Sequence, residues 1–315
     1  MTLSLTVAHK ADVAAGIVAF ELRNPDGAAL PAFAAGAHIL VETPAGVARR
    51  YSLSNAPSER DRYVIAVKRE PEGGGGSISM IDRLGVGDTV AVGAPENYFP
   101  LVAEARAHLL IAGGIGITPI LSMARQLRAE GADFRIIYCA RAPELAAFRD
   151  VLAEPGLAER TTLHFDNGDP TQGFYFPTAL ASPAAGTHLY CCGPRPLMHA
   201  VREAAGNWPA GTVHFEDFGT SAQPATGGEG AFDVRLARSG RVVTVPAGVS
   251  ILHALRAAGV EVDSSCEAGT CSSCRVGLLD GIADHRDFVL DEDEYASAIM
   301  VCVSRALTKE LTLDV

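Results

Sequence analysis

Short stretches in which apolar and polar residues alternate dominate the N-terminal third of the chain. Clear examples are GIVAFEL at 16–22, HILVET at 38–43 and RYVIAVKR at 62–69, and glycine and proline residues separate them. A period of two places successive side chains on opposite faces of a strand, so that one face can be buried. The pattern predicts a small antiparallel β-barrel over residues 1–102.

The pattern changes at Ala107 to apolar strands that alternate with amphipathic helices. AHLLIAG at 107–113 and FRIIYCA at 134–140 are predicted strands, and TPILSMARQLRAE at 118–130 is the helix between them. Strands that are separated by helices pair in parallel and are covered on both faces. Residues 103–218 are therefore predicted to form a doubly wound parallel sheet.

A segment of different composition follows this domain. GTSAQPATGGEG at 219–230 is rich in small residues and has no apolar periodicity, which is typical of a flexible linker. It separates residues 231–315, in which FDVRLARSGRVVTV is predicted to be a hairpin that turns at Ser239–Gly240. The next element, ILHALRAAG, is predicted to be a helix with Ser250 as its N-cap and Gly259 at its end.

Composition and charge exclude some classes of function. Of 315 residues, 48% are hydrophobic and 20% are charged, as in ordinary globular proteins, and the net charge is −11. This charge argues against a nucleic-acid-binding protein, which needs a basic surface. The N-terminus has no basic region followed by an apolar one, and the most apolar run, LLIAGGIGITPIL at 109–121, is too short to span a membrane. We expect a cytoplasmic protein without a membrane segment.

Cysteines are sparse except at one place. Three of the seven lie in CEAGTCSSC at 266–274, and Cys302 follows after a gap of 27 residues. In the cytoplasm, clustered cysteines are more typical of metal ligands than of disulfides. The spacing C-x4-C-x2-C…C is that of plant-type [2Fe–2S] clusters, whereas structural zinc sites usually pair two C-x2-C units. The predicted cluster ligands are Cys266, Cys271, Cys274 and Cys302, and a zinc site or unrelated buried cysteines are the alternatives.

Two segments of the predicted barrel suit an anionic ligand. RRYSLSN at 49–55 combines arginine with hydroxyl side chains, and EGGGGSISMIDRL at 72–84 places a run of glycines before a predicted helix. Backbone N–H groups at a helix N-terminus bind anions, and arginine binds phosphate through its planar fork. Taken singly, each segment is also compatible with a solvated strand or an ordinary loop.

The second predicted domain contains two glycine turns at strand ends. GGIGITP at 113–119 links the first strand to its helix, and CGPRPLM at 192–198 follows a later strand. Glycine permits close approach of the backbone to a pyrophosphate, and proline suits the first turn of a helix. The pattern differs from G-x-G-x-x-G, so that a plain strand-to-helix turn is the alternative.

Together these segments resemble the flavin and nucleotide motifs of the ferredoxin–NADP reductase superfamily. With a plant-type ferredoxin segment at the C-terminus, the order of motifs resembles the phthalate dioxygenase reductase family, which includes vanillate demethylase reductases. The resemblance covers nearly the whole chain. It implies a multidomain β plus α/β fold, with an antiparallel β-barrel flavin domain, a doubly wound parallel-sheet nucleotide domain and a C-terminal β-grasp ferredoxin domain over residues 231–315.

The resemblance also implies which residues bind each cofactor. The family uses FMN rather than FAD, prefers NADH and holds a [2Fe–2S] cluster. The residues that match its flavin motifs are Arg49, Tyr51, Ser52, Leu53, Ser54, Gly75, Gly76 and Ser77, with Arg50 as the alternative to Arg49. The residues that match its nucleotide motifs are Gly113, Gly114, Gly116, Thr118, Cys192, Gly193 and Pro194. Phe218 in HFEDF matches the aromatic residue that covers the flavin, and a buried core position is the alternative.

The implied reaction is hydride transfer from NADH to the flavin, followed by transfer of single electrons through the cluster to a Rieske-type non-haem iron oxygenase. Hydride transfer between two bound cofactors needs no acid–base residue, and none is predicted. After the second predicted strand, where an acidic residue would bind the ribose 2′-hydroxyl, the sequence has Arg141. The residues alone therefore do not decide whether the nucleotide is NADH or NADPH. The alternatives are a free flavin or ferric reductase, a module that holds zinc, and a redox sensor. We expect a monomer.

Overall fold

The computed structural model of the chain describes residues 2–72, 74–218, 230–291 and 293–315. The chain divides into two compact units, Met1–Glu216 and Asp217–Val315, and each contains hydrophobic core of its own. The predicted linker at 219–230 lies outside the described residues, except for Gly230.

An antiparallel barrel forms the N-terminal part of the first unit. Its elements in the described residues are β1 (Thr2–Ala14), β2 (Ile17–Arg23), β3 (His38–Glu42), β4 (Ala48–Ser52), β5 (Tyr63–Lys68), α1 (Gly76–Arg83) and β6 (Thr89–Gly93). The strand order is β4-β3-β6-β1-β2-β5, and a bridge between Leu53 and Ile65 joins the two ends of the sheet. Alternate side chains of these strands, such as Phe20 and Ile39, fill the interior. The predicted barrel is confirmed.

A parallel sheet with helices forms the rest of the first unit. Its elements in the described residues are β7 (Ala107–Gly113), α2 (Ile117–Glu130), β8 (Asp133–Ala140), α3 (Arg149–Leu152), β9 (Thr161–Phe165), α4 (Phe176–Leu180), β10 (Thr187–Cys192), α5 (Arg195–Ala204) and β11 (Val213–Glu216). The order is β11-β10-β7-β8-β9, with every neighbouring pair parallel. The direction of winding reverses between β7 and β10, and in such sheets ligands bind in the crevice at that point.

The structure defines where two helices of this sheet begin. The first, α2, begins at Ile117, so that Pro119 lies in its first turn, as predicted. Between β8 and β9, α3 is a single helical turn at Arg149–Leu152. Phe148 has a φ of 61°, and this left-handed conformation prevents the helix from beginning earlier.

The barrel and the parallel sheet are joined within the first unit. Ser122 of α2 donates a hydrogen bond to the carbonyl of Asn55 at 2.9 Å, and Arg125 donates to the carbonyl of Ser54 at 3.1 Å. The backbone N–H of Val102 donates to the Tyr190 hydroxyl of β10 at 2.8 Å. These contacts place the end of β4 beside the sheet.

The second unit contains a mixed sheet. Its described elements are β12 (Phe232–Leu236), β13 (Val242–Val245), α6 (Ile251–Ala257), β14 (Arg275–Asp280), β15 (Ala283–Asp284), β16 (Ala298–Met300), β17 (Arg305–Ala306) and β18 (Glu310–Leu313). The larger sheet has the order β13-β12-β18-β14-β16, and β15 pairs with β17. The predicted hairpin is β12–β13, and Ser250 caps α6 by accepting a bond from the N–H of His253 at 3.2 Å. Gly259 follows the helix with a φ of 75°, as expected for a C-terminal glycine.

No helix within the described ranges is both long and apolar enough to cross a membrane.

Candidate functional site

The two predicted flavin segments meet at the N-terminus of α1. A Cβ atom on Gly74 would lie 3.0 Å from Arg49 Nη2, and one on Gly76 would lie 3.3 Å from Arg49 Cγ. Gly75 caps the helix with a φ of 76°, which side chains disfavour. The guanidinium of Arg49 therefore lies beside backbone N–H groups at a helix start. Both features stabilise a phosphate, so that these residues suit the phosphate of a flavin nucleotide.

A lysine supports the opposite end of α1. Lys10 of β1 donates from Nζ to the carbonyl of Ile81 at 2.6 Å and to that of Leu84 at 2.8 Å. A cation at the helix C-terminus stabilises the helix dipole. Sequence reasoning missed this contact, because the lysine and the helix lie far apart in the chain.

The remaining residues of RRYSLSN differ in their surroundings. Tyr51 is half-buried, and burial raises the pKa of its hydroxyl to about 12, so that the phenol stays neutral. Ser52 is buried and donates to Glu216 Oε2 at 3.4 Å. Leu53 packs in the barrel core, and Ser54 donates its hydroxyl bond to the carbonyl of Val64 at 3.0 Å. Tyr51 thus packs against the barrel core, whereas the side chain of Ser52 reaches Glu216 of the nucleotide sheet.

Glycines at the two predicted nucleotide turns allow the ends of β7 and β10 to touch. A Cβ atom on Gly193 would lie 2.9 Å from the Cα of Gly113, and one on Gly116 would lie 2.1 Å from the carbonyl oxygen of Cys192. Gly114 has a φ of 52°. The immediate role of these glycines is close packing of the backbone, which shapes the crevice at the point where the winding reverses.

Three other predicted site residues have surroundings that the structure defines. Thr118 is buried in the first turn of α2, and its hydroxyl donates to the carbonyl of Ile115 at 3.1 Å. Phe218 is 41% exposed, which excludes the alternative that it is a buried core residue of its own unit. Ser77 accepts a bond from the N–H of Glu70 at 3.1 Å and so fixes the loop before α1.

Glu216 joins the barrel to the nucleotide sheet. Its Oε2 atom accepts the bond from Ser52 and lies 3.9 Å from Cys192 Sγ. The two strands β10 and β11 pair Cys192 with Glu216 directly. Sequence reasoning missed Glu216, which lies within HFEDF. The signal that could have identified it is an acidic residue at the end of a half-buried strand. The flavin segment and the nucleotide segment therefore converge on one carboxylate.

The three-cysteine loop has the backbone that a cluster requires. The N–H of Ala268 donates to Cys266 Sγ at 3.4 Å, and the N–H of Cys266 donates to Cys271 Sγ at 3.4 Å. Glu267, Gly269 and Ser272 have φ values of 53°, 78° and 65°. These left-handed turns direct backbone N–H groups towards the sulfur atoms, which favours thiolates.

The four cysteines form two pairs. Cys266 and Cys271 share a hydrogen bond between their side chains, and so do Cys274 and Cys302. The bond from Cys266 lowers the pKa of the Cys271 thiol, and the bond from Cys302 lowers that of Cys274. Across the described residues, His, Cys, Asp and Glu side chains form no group of three or more that could hold one metal ion. Two thiols for each of two irons is the ligand arrangement of a [2Fe–2S] cluster, so that the residues suit this group better than a single zinc ion.

A buried aspartate connects the two segments that carry these cysteines. Asp287 Oδ1 accepts bonds from the N–H groups of Val289 at 3.0 Å and Leu290 at 2.8 Å, and Ser304 Oγ lies 3.5 Å from its Oδ2. A Cβ atom on Gly269 would lie 3.1 Å from the Cα of Asp287. Asp287 thus packs against the three-cysteine loop and also bonds to the segment that follows Cys302.

Replacing Asp287 by alanine is expected to destabilise the second unit by about 2–3 kcal/mol, because two backbone donors lose a charged acceptor. Urea denaturation, followed through the loss of the visible cluster absorbance, would measure this change. Asp280→Ala is the matched control, since Asp280 is an exposed acid at the end of β14. Equal stability of the two variants would contradict the role of Asp287.

Three family models match consecutive parts of the chain. Residues 4–100 match the oxidoreductase FAD-binding domain, and residues 96–211 match the N-terminal domain of the dimethylamine monooxygenase subunit DmmA-like family. Residues 234–307 match the 2Fe-2S iron-sulfur cluster binding domain. The matches therefore follow the order flavin domain, second domain and iron–sulfur domain.

Relatives match the chain over nearly its full length. Phthalate dioxygenase reductase of Burkholderia cepacia is 52% identical over 99% of this chain and 97% of its own. The reductase subunit of phthalate 4,5-dioxygenase of Pseudomonas putida is 50% identical over 98% of this chain and 96% of its own. A solved phthalate dioxygenase reductase, described as a modular structure for electron transfer from pyridine nucleotides to [2Fe–2S], has 52% identity and a TM-score of 0.72 over 100% of this chain and 98% of its own. The chain therefore belongs to the phthalate dioxygenase reductase family, whose members are flavin and iron–sulfur oxidoreductases of oxygenase systems.

Proposed function

We propose that the chain is the NADH-dependent reductase of a Rieske-type oxygenase system and that it uses FMN and a [2Fe–2S] cluster. The observation that carries this proposal is the convergence of Ser52 and Cys192 on Glu216. It places the end of the flavin segment beside the end of a nucleotide-sheet strand. A flavin ring and a nicotinamide that bind at these two strand ends would lie next to each other, as hydride transfer requires.

Each part of the chain has one task in this proposal. Residues 1–102 bind FMN, residues 103–218 bind NADH, residues 219–230 are a linker, and residues 231–315 hold the cluster. The proposed flavin contacts are Arg49, Tyr51, Ser52, Leu53, Ser54, Gly75, Gly76, Ser77 and Phe218. The proposed nucleotide contacts are Gly113, Gly114, Gly116, Thr118, Cys192, Gly193 and Pro194. The proposed cluster ligands are Cys266, Cys271, Cys274 and Cys302.

The chain's residues supply binding and orientation. When bound, flavin accepts a hydride from NADH and gives up its electrons singly, and a [2Fe–2S] cluster carries one electron. Arg49 and the start of α1 would hold the phosphate of FMN, while Ser52 and Cys192 would border the reacting rings. Each of the two cysteine pairs would hold one iron.

The partner follows from the names of the relatives. They include reductases of phthalate dioxygenase, vanillate O-demethylase oxidoreductases of Pseudomonas and a phenoxybenzoate dioxygenase subunit. We therefore propose an oxygenase as the electron acceptor, with a Rieske centre as the entry point, and a monomeric reductase located in the cytoplasm.

Replacing Arg49 by alanine is expected to weaken FMN binding by about 1.5–3 kcal/mol, which is roughly 10–100-fold in Kd, because a charged contact to the phosphate is lost. Flavin fluorescence during titration of the flavin-free protein would measure the affinity. Arg50→Ala is the matched control, because Arg50 is the next residue of β4 and pairs with the exposed Leu40. Stronger loss of FMN from the Arg50 variant would contradict the assignment.

An anaerobic visible spectrum, recorded before and after addition of NADH, tests the whole proposal. Chromatography of the released flavin identifies FMN or FAD. Flavin and iron–sulfur absorbance that both bleach with NADH support the relay. Flavin bleaching without an iron–sulfur signal would contradict it.

A further inference from the structure

The helix α6 contacts both segments that carry the proposed cluster ligands. The backbone N–H of Leu252 donates to the carbonyl of Val301, the residue before Cys302, at 2.9 Å. Leu252 is fully buried in the core of the second unit, which fixes the helix in the fold. The exposed residue Arg256 of α6 contacts the three-cysteine loop. An inference from these contacts rests on the proposed function, because it concerns the cluster that the cysteines would hold.

Arg256 and Ser264 bind the carboxylate of Glu267, the residue that follows Cys266. Arg256 Nη1 donates to Glu267 Oε1 at 2.8 Å, and the Ser264 hydroxyl donates to the same oxygen at 2.9 Å. Arg256 Nη2 also donates to Ser264 Oγ, so that the three side chains form a closed set of hydrogen bonds. His253 precedes Arg256 by three residues on α6, and its Nε2 lies 3.9 Å from Glu267 Oε2. The carboxylate is therefore held from one face of the helix.

These hydrogen bonds hold a residue whose backbone conformation is unfavourable for glutamate. Glu267 has a φ of 53°, in the left-handed region, where a Cβ atom crowds the backbone. Such a conformation persists only where the surrounding contacts maintain it. The next N–H group, that of Ala268, donates to Cys266 Sγ at 3.4 Å. Because the backbone at Glu267 sets the direction of the following peptide, the contacts of its side chain also fix the direction of this N–H group.

The reduction potential of an iron–sulfur cluster depends on two features of this region. Hydrogen bonds to the sulfur atoms and the net charge nearby both set the potential. An N–H group that donates to a ligand sulfur stabilises the reduced, more negative form, whereas an unbalanced carboxylate destabilises it. Burial raises the pKa of the Glu267 carboxyl, but the bonds from Arg256 and Ser264 outweigh burial and lower the pKa below its ordinary value. The carboxyl is therefore ionised at neutral pH, and Arg256 supplies the balancing charge.

We propose that Arg256 is a positioning residue that raises the reduction potential of the cluster. Through Glu267 it holds the loop in the conformation that directs the Ala268 N–H group to Cys266 Sγ. Its positive charge also balances the carboxylate next to a cluster ligand. Both effects favour the reduced cluster, so that loss of Arg256 lowers the potential.

The competing interpretation is a surface ion pair without effect on the cluster. The side chains of Arg256 and Glu267 are 41% and 35% exposed, and isolated pairs at such positions contribute little to stability. Two features favour a positioning role. The pair is part of a set of bonds that includes Ser264, and Glu267 lies between a proposed cluster ligand and the N–H group that donates to that ligand.

The first test measures the reduction potential in full-length holoprotein by anaerobic titration with dithionite and redox mediators, followed by the EPR signal of the reduced cluster. In Arg256→Ala, we expect the ratio of reduced to oxidised cluster at a fixed potential to fall by about twofold to fivefold. Arg235→Ala is the matched control, because Arg235 forms an ion pair of similar exposure with Glu310 in the same unit, at 3.0 Å. An unchanged ratio in Arg256→Ala, or an equal fall in Arg235→Ala, would overturn the proposal.

The second test separates the effect of the backbone from that of the charge. Glu267→Gly and Glu267→Ala both remove the carboxylate, but only glycine adopts the left-handed conformation readily. We expect the ratio of reduced to oxidised cluster to be about twofold or more higher in the glycine variant than in the alanine variant. The double variant Arg256→Ala/Glu267→Gly should recover the wild-type ratio, because it has no carboxylate to balance and no strained residue to hold. Equal ratios in the two Glu267 variants, or no recovery in the double variant, would refute the positioning role.

The titration distinguishes a failure of this inference from a failure of the proposed function, because it uses neither NADH nor an oxygenase. A wild-type protein without the EPR signal of a reduced [2Fe–2S] cluster would contradict the proposed function and this inference with it. A normal signal whose potential does not respond to Arg256→Ala would contradict this inference alone. If Arg256→Ala is isolated without a cluster, the double variant decides, because glycine should then restore the cluster, and its continued absence would overturn the proposal.

Discussion

Replacement of Cys271 by serine is expected to abolish the visible absorbance of the iron–sulfur cluster, while NADH still bleaches the flavin. Cys271 forms one of the two thiol pairs, and the hydrogen bond from Cys266 lowers the pKa of its thiol, which favours the thiolate. A serine hydroxyl does not ionise at neutral pH, so that one iron would lose half of its protein ligands. Absorbance spectra and an iron assay of the purified variant measure the loss.

A matched cysteine separates the role of this ligand from a general effect of removing a thiol. Cys139 lies half-buried in β8, and burial raises the pKa of its thiol to about 12. Cys139→Ser is therefore expected to keep the cluster and its absorbance. If the Cys271 variant also loses flavin reduction by NADH, the two compact units do not act separately and the proposed division of tasks is wrong.

Replacement of Gly116 by alanine is expected to cost about 3 kcal/mol of stability and to impair NADH-driven flavin reduction strongly. The added Cβ would lie 2.1 Å from the carbonyl oxygen of Cys192 and 2.8 Å from the N atom of Gly193. Because both neighbours are backbone, the turn after β7 must move away from the end of β10. Thermal unfolding and the rate of flavin bleaching at saturating NADH measure the two effects.

Gly206→Ala is the control for this substitution. A Cβ there would meet only the carbonyl oxygen of Glu203, at 3.4 Å, which is an ordinary contact. We expect a change within about 1 kcal/mol and normal flavin reduction. If Gly116→Ala is as stable as Gly206→Ala, the close approach of the two turns is not required for the fold.

Some of the site was predictable because its chemistry is local. The four proposed cluster ligands are recognisable by spacing, since three of them lie in one loop of nine residues and their spacing is set by the loop itself. The glycine run before α1 and the arginine of β4 were likewise identified as parts of one anion site, and in the structure Arg49 lies beside Gly74 and Gly76.

Other residues could not be identified in this way. Glu216 and Lys10 act through neighbours that are distant in the chain, namely Ser52 and the last carbonyls of α1. No local pattern marks them, because an acid at a strand end or a lysine within a strand is common at any surface. The glycines of the nucleotide turns were associated with a ligand, whereas in the structure they first allow two backbone segments to touch.

Period and spacing in the sequence by themselves predicted the barrel, the parallel sheet and four candidate cluster ligands. These features depend on the alternation of apolar and polar side chains and on residue spacing within single loops. Both can be read directly from the sequence. The tertiary structure alone decided which strand ends meet, that Ser52 and Cys192 share Glu216, and that His38 is buried with no partner for Nε2 in the described part of the chain. The physical reason is that burial and proximity arise only when distant strands pair, and pairing depends on the packing of the whole unit.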